Sequence, residues 1–213
     1  MNSRAILGIS LALAFVLSAV LIPAFAGGHL ALTKTEVKVK TDLLKAKQKV
    51  DVKIEASAPI PTTGPSAFGY GILSDGTDNV VALTTHPGVL DHSSQKGDAL
   101  NPIFHAHVLD LAPVTGAGSI MNPCTVGIHD LVVDFASSTG TTPPGTPNNI
   151  DAKYKVKVDK NTITVKKIPV NPAKGDMNDD TVEAIVAFTI TGVGMDPNAP
   201  AAGIPWLCLD VKP

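Results

Sequence analysis

The chain has 213 residues, a formal net charge of −2 at pH 7 and only 4% aromatic residues. A chain with this charge has no electrostatic support for a nucleic-acid partner, so we expect no such partner. Its length is sufficient for a domain with a sizeable core, which small and β-branched side chains have to fill.

The first 26 residues have the pattern of an export signal. Arg4 precedes an uncharged apolar run of 18 residues, 5–22, and the segment ends in Ala24-Phe25-Ala26. This pattern predicts a signal peptide over residues 1–26 that is cleaved after Ala26 and leaves 187 of the 213 residues. The alternative is an uncleaved membrane anchor, because an apolar run of this length is at the lower limit for spanning a bilayer. Both interpretations predict a secreted or cell-surface protein.

The two cysteines, Cys124 and Cys208, agree with that compartment. An even number of cysteines in an exported chain usually forms disulfides. We therefore predict a bridge between these two residues.

Short apolar or alternating segments with turn signals between them make up most of the remaining chain, and helical periodicity is almost absent. About ten strands are predicted, including 35–40, 50–55, 68–73, 80–84, 104–111, 127–135, 154–158, 162–165, 182–191 and 204–211. Residues 137–149 are rich in Ser, Thr, Pro, Gly and Asn, which predicts a long exposed loop. The prediction is an all-β, immunoglobulin-like β-sandwich that forms a single domain over residues 27–213.

A His-x-His pair is the most specific chemical feature of the sequence. Because side chains alternate along a strand, His105 and His107 are predicted to share one face of it with Leu109 and Leu111. A hairpin loop centred near Gly118 would bring His129, on the next strand, opposite His107. Three neutral imidazoles suit Cu(II) or Zn(II).

The spacing of these three histidines is similar to that of the zinc ligands in alpha-type carbonic anhydrases. The similarity covers only these three residues, and we interpret it as a geometric analogy. It implies that a zinc ion held by His105, His107 and His129 could activate a bound water. The other interpretation is that the three histidines pack within the sheet and form hydrogen bonds to the backbone or to Asp110 and Asp130.

Other histidines add further candidate ligands. Cleavage after Ala26 would leave Gly27-Gly28-His29 at the N-terminus, where the amine, two amide nitrogens and the imidazole of His29 can enclose Cu(II) in a square plane. His86 and His92 lie in a polar segment and are either extra ligands or surface residues.

An acidic segment resembles the opening of a calcium-binding loop. Asp176, Asn178 and Asp180 have the required spacing, but Thr181 replaces the glycine and Ala187 the final glutamate of an EF-hand. A standard EF-hand is therefore excluded, which leaves either a looser calcium site or a solvated acidic turn.

Lysines are concentrated in two segments, seven in residues 34–53 and seven in residues 153–174. Many alternate with apolar residues, which predicts the solvent-exposed faces of strands. The alternative is a basic stripe that binds anionic glycans or lipid headgroups.

The main functional hypothesis is an exported, non-catalytic protein, associated with the cell envelope, that binds copper in preference to zinc. One alternative is a structural or adhesive surface module without metal. The other is a zinc hydrolase or hydratase that uses the same three histidines.

Overall fold

The computed structural model describes residues 28–42, 47–62, 67–74, 80–85, 104–114, 124–125, 129–135, 151–152, 156–170, 181–196 and 205–212. Regular structure in these ranges consists of eleven strands: β1 (Leu32–Asp42), β2 (Lys47–Ala56), β3 (Phe68–Leu73), β4 (Val80–Thr85), β5 (His105–Pro113), β6 (Leu131–Asp134), β7 (Asp151–Ala152), β8 (Val156–Asp159), β9 (Thr162–Val170), β10 (Ala184–Val193) and β11 (Trp206–Lys212). No helix in these ranges is long and apolar enough to cross a membrane. The predicted signal segment, 1–26, and the predicted loop, 137–149, lie outside the described residues.

Four strands form the smaller sheet, in the order β1-β2-β9-β8. Alternation of apolar and charged residues gives this sheet two different faces, because neighbouring side chains of a strand point in opposite directions. Its inner face carries buried aliphatic residues such as Val52, Ile54 and Val165. The outer face, which we call the lysine face, carries Lys34, Glu36, Lys38, Lys40, Lys49, Asp51, Lys53, Glu55, Lys157, Asp159, Thr162, Thr164 and Lys166.

The larger sheet closes into a six-stranded antiparallel barrel. Its order is β4-β3-β10-β11-β6-β5, with β7 paired to β5, and an additional pairing between β4 and β5 joins the two ends. One apolar cluster takes residues from all six strands and therefore fills the barrel interior; it is centred on Val80, Ala82, Leu109, Leu111, Val133, Phe188 and Leu209. So narrow a barrel is filled by side chains and leaves no channel.

The outer wall of the barrel packs against the inner face of the four-stranded sheet. The layer between them contains Phe68, Tyr70, Leu83 and Phe104 from the barrel and Ile54 from the sheet, all buried. Phe68 and Phe104 meet edge to face, with ring centroids 5.4 Å apart, an arrangement that aromatic rings prefer.

The prediction of an all-β fold built from two sheets is confirmed, with eleven strands where about ten were expected. Residues 74–78 and 159–161 have the composition of turns, which predicts one hairpin across each of these segments. The pairing of β3 with β4 and of β8 with β9 confirms both hairpins. The immunoglobulin-like arrangement is not confirmed, because the larger sheet closes on itself through β4 and β5. Alternation along single strands carries no information about such a closure.

The predicted disulfide between Cys124 and Cys208 is present, with Cα atoms 5.6 Å apart. Both cysteines are buried and form a small cluster with Val132, against which Trp206 packs. The alternation along β6 and β11 turns Val132 and Cys208 away from the barrel interior, so the bridge lies on the outer wall of the barrel.

Reduction of this disulfide is expected to destabilise the protein strongly. The bridge links residues 84 positions apart, and closing a loop of that length contributes about 4–5 kcal/mol in the chain-entropy estimate. The free energy of unfolding should therefore fall by several kcal/mol in urea titrations of the reduced wild type and of the Cys124→Ala/Cys208→Ala variant. Equal urea midpoints for the oxidised and reduced proteins would contradict this expectation.

Two glycines of β3 let the barrel interior pack tightly. A Cβ atom on Gly69 would lie 2.7 Å from the carbonyl oxygen of Leu83 and 2.8 Å from Cζ of Phe188. A Cβ atom on Gly71 would have its nearest neighbour, a methyl group of Val186, at 3.3 Å. The carbonyl oxygen of Leu83, the methyl group of Thr84 and the ring of Phe188 therefore leave room only for a glycine at position 69.

Gly69→Ala should consequently cost about 1–3 kcal/mol of stability, as overpacking usually does. Gly71→Ala is the matched control, since it adds the same methyl group on the same face of the same strand. Thermal unfolding of both variants should show the larger loss for Gly69→Ala, and equal losses would mean that the close contacts at position 69 are not the cause.

Candidate metal centre

The histidine pair lies at the start of β5 and points into the barrel. Residues 106 and 108 belong to the layer against the four-stranded sheet, whereas Leu109 and Leu111 belong to the barrel interior. His105 and His107 alternate with the first set and therefore share the interior face with Leu109 and Leu111, as predicted. They are only 8% and 3% exposed.

The two imidazole rings are in direct contact. Their centroids are 4.5 Å apart and their planes make an angle of 81°. Because metal–imidazole bonds are about 2.0–2.1 Å long, two nitrogens that share one ion lie no more than about 4 Å apart. The spacing of the rings is compatible with that requirement.

Small and hydroxylated residues of β4 lie beside the pair on the same face. Thr84 pairs with His105 and Ala82 pairs with His107 across the closing ladder of the barrel. The hydroxyl oxygen of Thr84 is buried and has no hydrogen-bond partner within the described ranges. A buried hydroxyl without a partner is costly, and a water molecule held beside the imidazoles would satisfy it. Thr84 has no distinguishing signal in the sequence, because only the β4–β5 register places it beside the pair.

The structure does not bring His129 to the pair, and the predicted hairpin register is wrong. In the observed register Pro113 pairs with Leu131 and Leu111 with Val133. Asp130, the neighbour of His129, accepts a hydrogen bond from the N–H of Val114, which is seven positions beyond His107, or roughly 23 Å at about 3.3 Å per residue. His129 instead lies near the disulfide end, where its N–H donates to the carbonyl of Thr125.

His29 lies on the other side of the barrel wall. Its ring contacts the ring of Phe68, with centroids 4.5 Å apart, and Phe68 belongs to the layer between the barrel and the sheet. The buried hydroxyl of Tyr70 donates a 2.6 Å hydrogen bond to the carbonyl of His29, and the hydroxyl of Ser57 donates to that of Gly28. His29 is thus fixed on the face opposite to the histidine pair.

The remaining predicted ligands, His86, His92, Asp176, Asn178 and Asp180, lie outside the described residues. So does Gly27, the predicted first residue of the mature chain. Within the described part of the chain, no group of three or more His, Cys, Asp or Glu residues could hold a metal ion.

Comparison of the chain with protein-family models, with curated proteins and with solved structures gave no match. The candidate site therefore rests on the chemistry and placement of its own residues.

Burial lowers the pKa of His29, which has a consequence for stability. The folded state binds its proton more weakly than the unfolded chain, whose histidine pKa is about 6.5. The contribution of neutral His29 is therefore complete above about pH 6.5 and is lost as the pH falls toward the lower, folded pKa.

His29→Phe keeps a ring against Phe68 but cannot titrate. Its melting temperature should decline less between pH 7.5 and pH 5 than that of the wild type. His29→Gln, which does not titrate either, should show the same flattening. If the melting temperatures of the wild type and of both variants change equally with pH, His29 does not contribute to the pH dependence of stability.

Proposed function

We propose that the protein is an exported, non-catalytic, all-β protein that binds a transition metal, copper in preference to zinc. His105 and His107 form the core of the binding site, at the interior of the barrel. The contact between these two buried imidazoles is the observation that carries the proposal, because buried imidazoles held side by side are suited to share a cation.

The preference for copper follows from ligand chemistry. Imidazole nitrogens bind Cu(II) more tightly than any other divalent metal of the first transition row. A structural zinc site usually has four protein ligands and a catalytic one has three, whereas the described part of the chain supplies two. His86 and His92 are the proposed sources of further nitrogen ligands.

His29 supports a second copper site that is independent of the pair. If the signal peptide is removed after Ala26, the free amine of Gly27, two amide nitrogens and the imidazole can bind Cu(II). The disulfide supports an extracytoplasmic location for both sites, since such bridges persist in oxidising compartments. Secretion and association with the cell envelope are parts of this proposal.

The two alternatives have less support. A zinc hydrolase or hydratase needs His129 as its third ligand, and the β5–β6 register holds His129 at the other end of the barrel. A structural or adhesive module would retain the histidines only for packing, and packing alone gives no reason to place two imidazoles side by side in a barrel interior made mainly of apolar side chains.

Metal analysis of the purified protein tests the proposal. We expect the wild type to retain copper after gel filtration, and the electron paramagnetic resonance spectrum to show coupling to imidazole nitrogens. The His105→Asn/His107→Asn variant should lose the copper bound by the pair and keep the copper of the N-terminal site. His29→Ala, with the pair intact, should keep the copper bound by the pair and lose only that of the N-terminal site.

His129→Asn is the matched control for the pair, since it removes an imidazole at the other end of the barrel. Near-ultraviolet circular dichroism verifies that each variant is folded. Should a pair variant fail to fold, broadening of the His105 and His107 imidazole resonances by Cu(II) in nuclear magnetic resonance spectra of the wild type provides the second test. Copper retention unchanged in a folded pair variant, or no broadening by Cu(II), would overturn the proposal.

A further inference from the structure

The lysine face of the four-stranded sheet concentrates positive charge on a chain whose net charge is −2. The described side chains of this face include seven lysines and four carboxylates, which together have a net charge of +3. Several lysines are paired with carboxylates of the same face: Lys34 with Glu36, Lys40 with Asp51 and Lys53 with Glu55.

Four lysines of this face are not neutralised in that way. Lys38, Lys49, Lys157 and Lys166 form no ion pair with any residue that the structure describes. They lie on all four strands, so the excess charge runs across the sheet.

A groove of about 570 Å³ crosses the centre of the lysine face. Its lining includes Lys38, Lys40, Lys53 and Lys166, together with Glu36 and Asp51. A concave surface of this kind accommodates an extended chain better than a flat one does.

Asp51 fixes the shape of the groove. A bulge in β9 places two residues, Lys166 and Lys167, opposite Asp51, and Lys167 adopts a φ of 64°. The carboxylate of Asp51 accepts a 2.8 Å hydrogen bond from the N–H of Lys167 and another from the ammonium group of Lys40. Burial raises the pKa of Asp51, but these donors and the nearby Lys166 outweigh it and lower the pKa overall. Asp51 therefore stays ionised and holds the bulge in place.

We propose that the lysine face binds an acidic polysaccharide that lies along this groove. The unpaired ammonium groups would contact the anionic groups of the sugar chain, whose negative charge is complementary to theirs. The carboxylates of the groove and the hydroxyl of Thr164, which also lines it, would accept hydrogen bonds from sugar hydroxyls. This inference is independent of the metal proposal, because the lysine face and the barrel interior lie in different layers.

The carboxylates of the groove favour a polysaccharide over a membrane surface as the binding partner. Anionic lipid headgroups present a layer of phosphates, which would repel Glu36 and Asp51. A sugar chain offers hydroxyl donors between its anionic groups and can use the same carboxylates as acceptors. No aromatic side chain lies on this face within the described ranges, so charge and not stacking would carry the affinity.

Polygalacturonate, a carboxylated polysaccharide, is the probe for this proposal. Titration calorimetry at low salt should detect binding to polygalacturonate and none to dextran, which is neutral. Binding should disappear at about 1 M salt, where charges are screened within about 3 Å. The Lys38→Gln/Lys166→Gln variant should raise the Kd at least about tenfold, since each lysine near an anionic surface contributes a several-fold factor.

Lys160→Gln/Lys212→Gln is the matched control, because it removes the same charge from a turn and from the barrel. Its Kd should stay within about twofold of the wild-type value, and unchanged melting temperatures would show that both variants are folded. Equal weakening by both pairs of substitutions, or no binding to polygalacturonate, would overturn the proposal. Binding to phosphatidylglycerol vesicles without binding to polygalacturonate would overturn it in favour of a membrane.

Discussion

The hydrogen-bonded ladder between β4 and β5 is the constraint on which the arrangement of this protein depends. Val80 to Thr84 pair with His105 to Leu109, and this pairing joins the two ends of the larger sheet. Once the sheet is closed, each of its six strands has one face in a narrow interior and one face outside. The side chains that fill the interior are thereby fixed, and His105 and His107 are among them. Without the ladder, the same histidines would lie on the face of an open sheet.

Closure also explains why the two proposed functions do not interfere. The histidine pair is buried in the barrel interior, beside apolar side chains and the hydroxyl of Thr84. The lysine face belongs to the other sheet and is separated from the pair by the barrel wall and by the apolar layer around Phe68 and Ile54. A polyanion bound there would affect the proposed metal site only through changes in that layer. We therefore expect the two sites to act independently.

The net charge of the whole chain does not predict how charge is distributed over its surface. A net charge of −2 argues against a polyanionic partner if the charges are evenly distributed. The strict alternation in β1, β2 and β8 places their lysines on one face of one sheet, where they outnumber the carboxylates. Asp51 differs from the other charged residues of this face, because its carboxylate also holds the bulge at Lys167 in place.

The sequence by itself determined the local features: the all-β character, two hairpins, the disulfide partners and the shared face of His105 and His107. Each depends on alternation, on turn residues or on an even number of cysteines, which are properties of short segments or of composition. Only the tertiary structure decided the closure of the barrel, the place of Thr84 beside the pair and the distance to His129. Those depend on the register between strands, and the register is set by packing of side chains distant in the sequence. A shift by an even number of residues along one strand is invisible in its alternation, because it leaves every side chain on the same face.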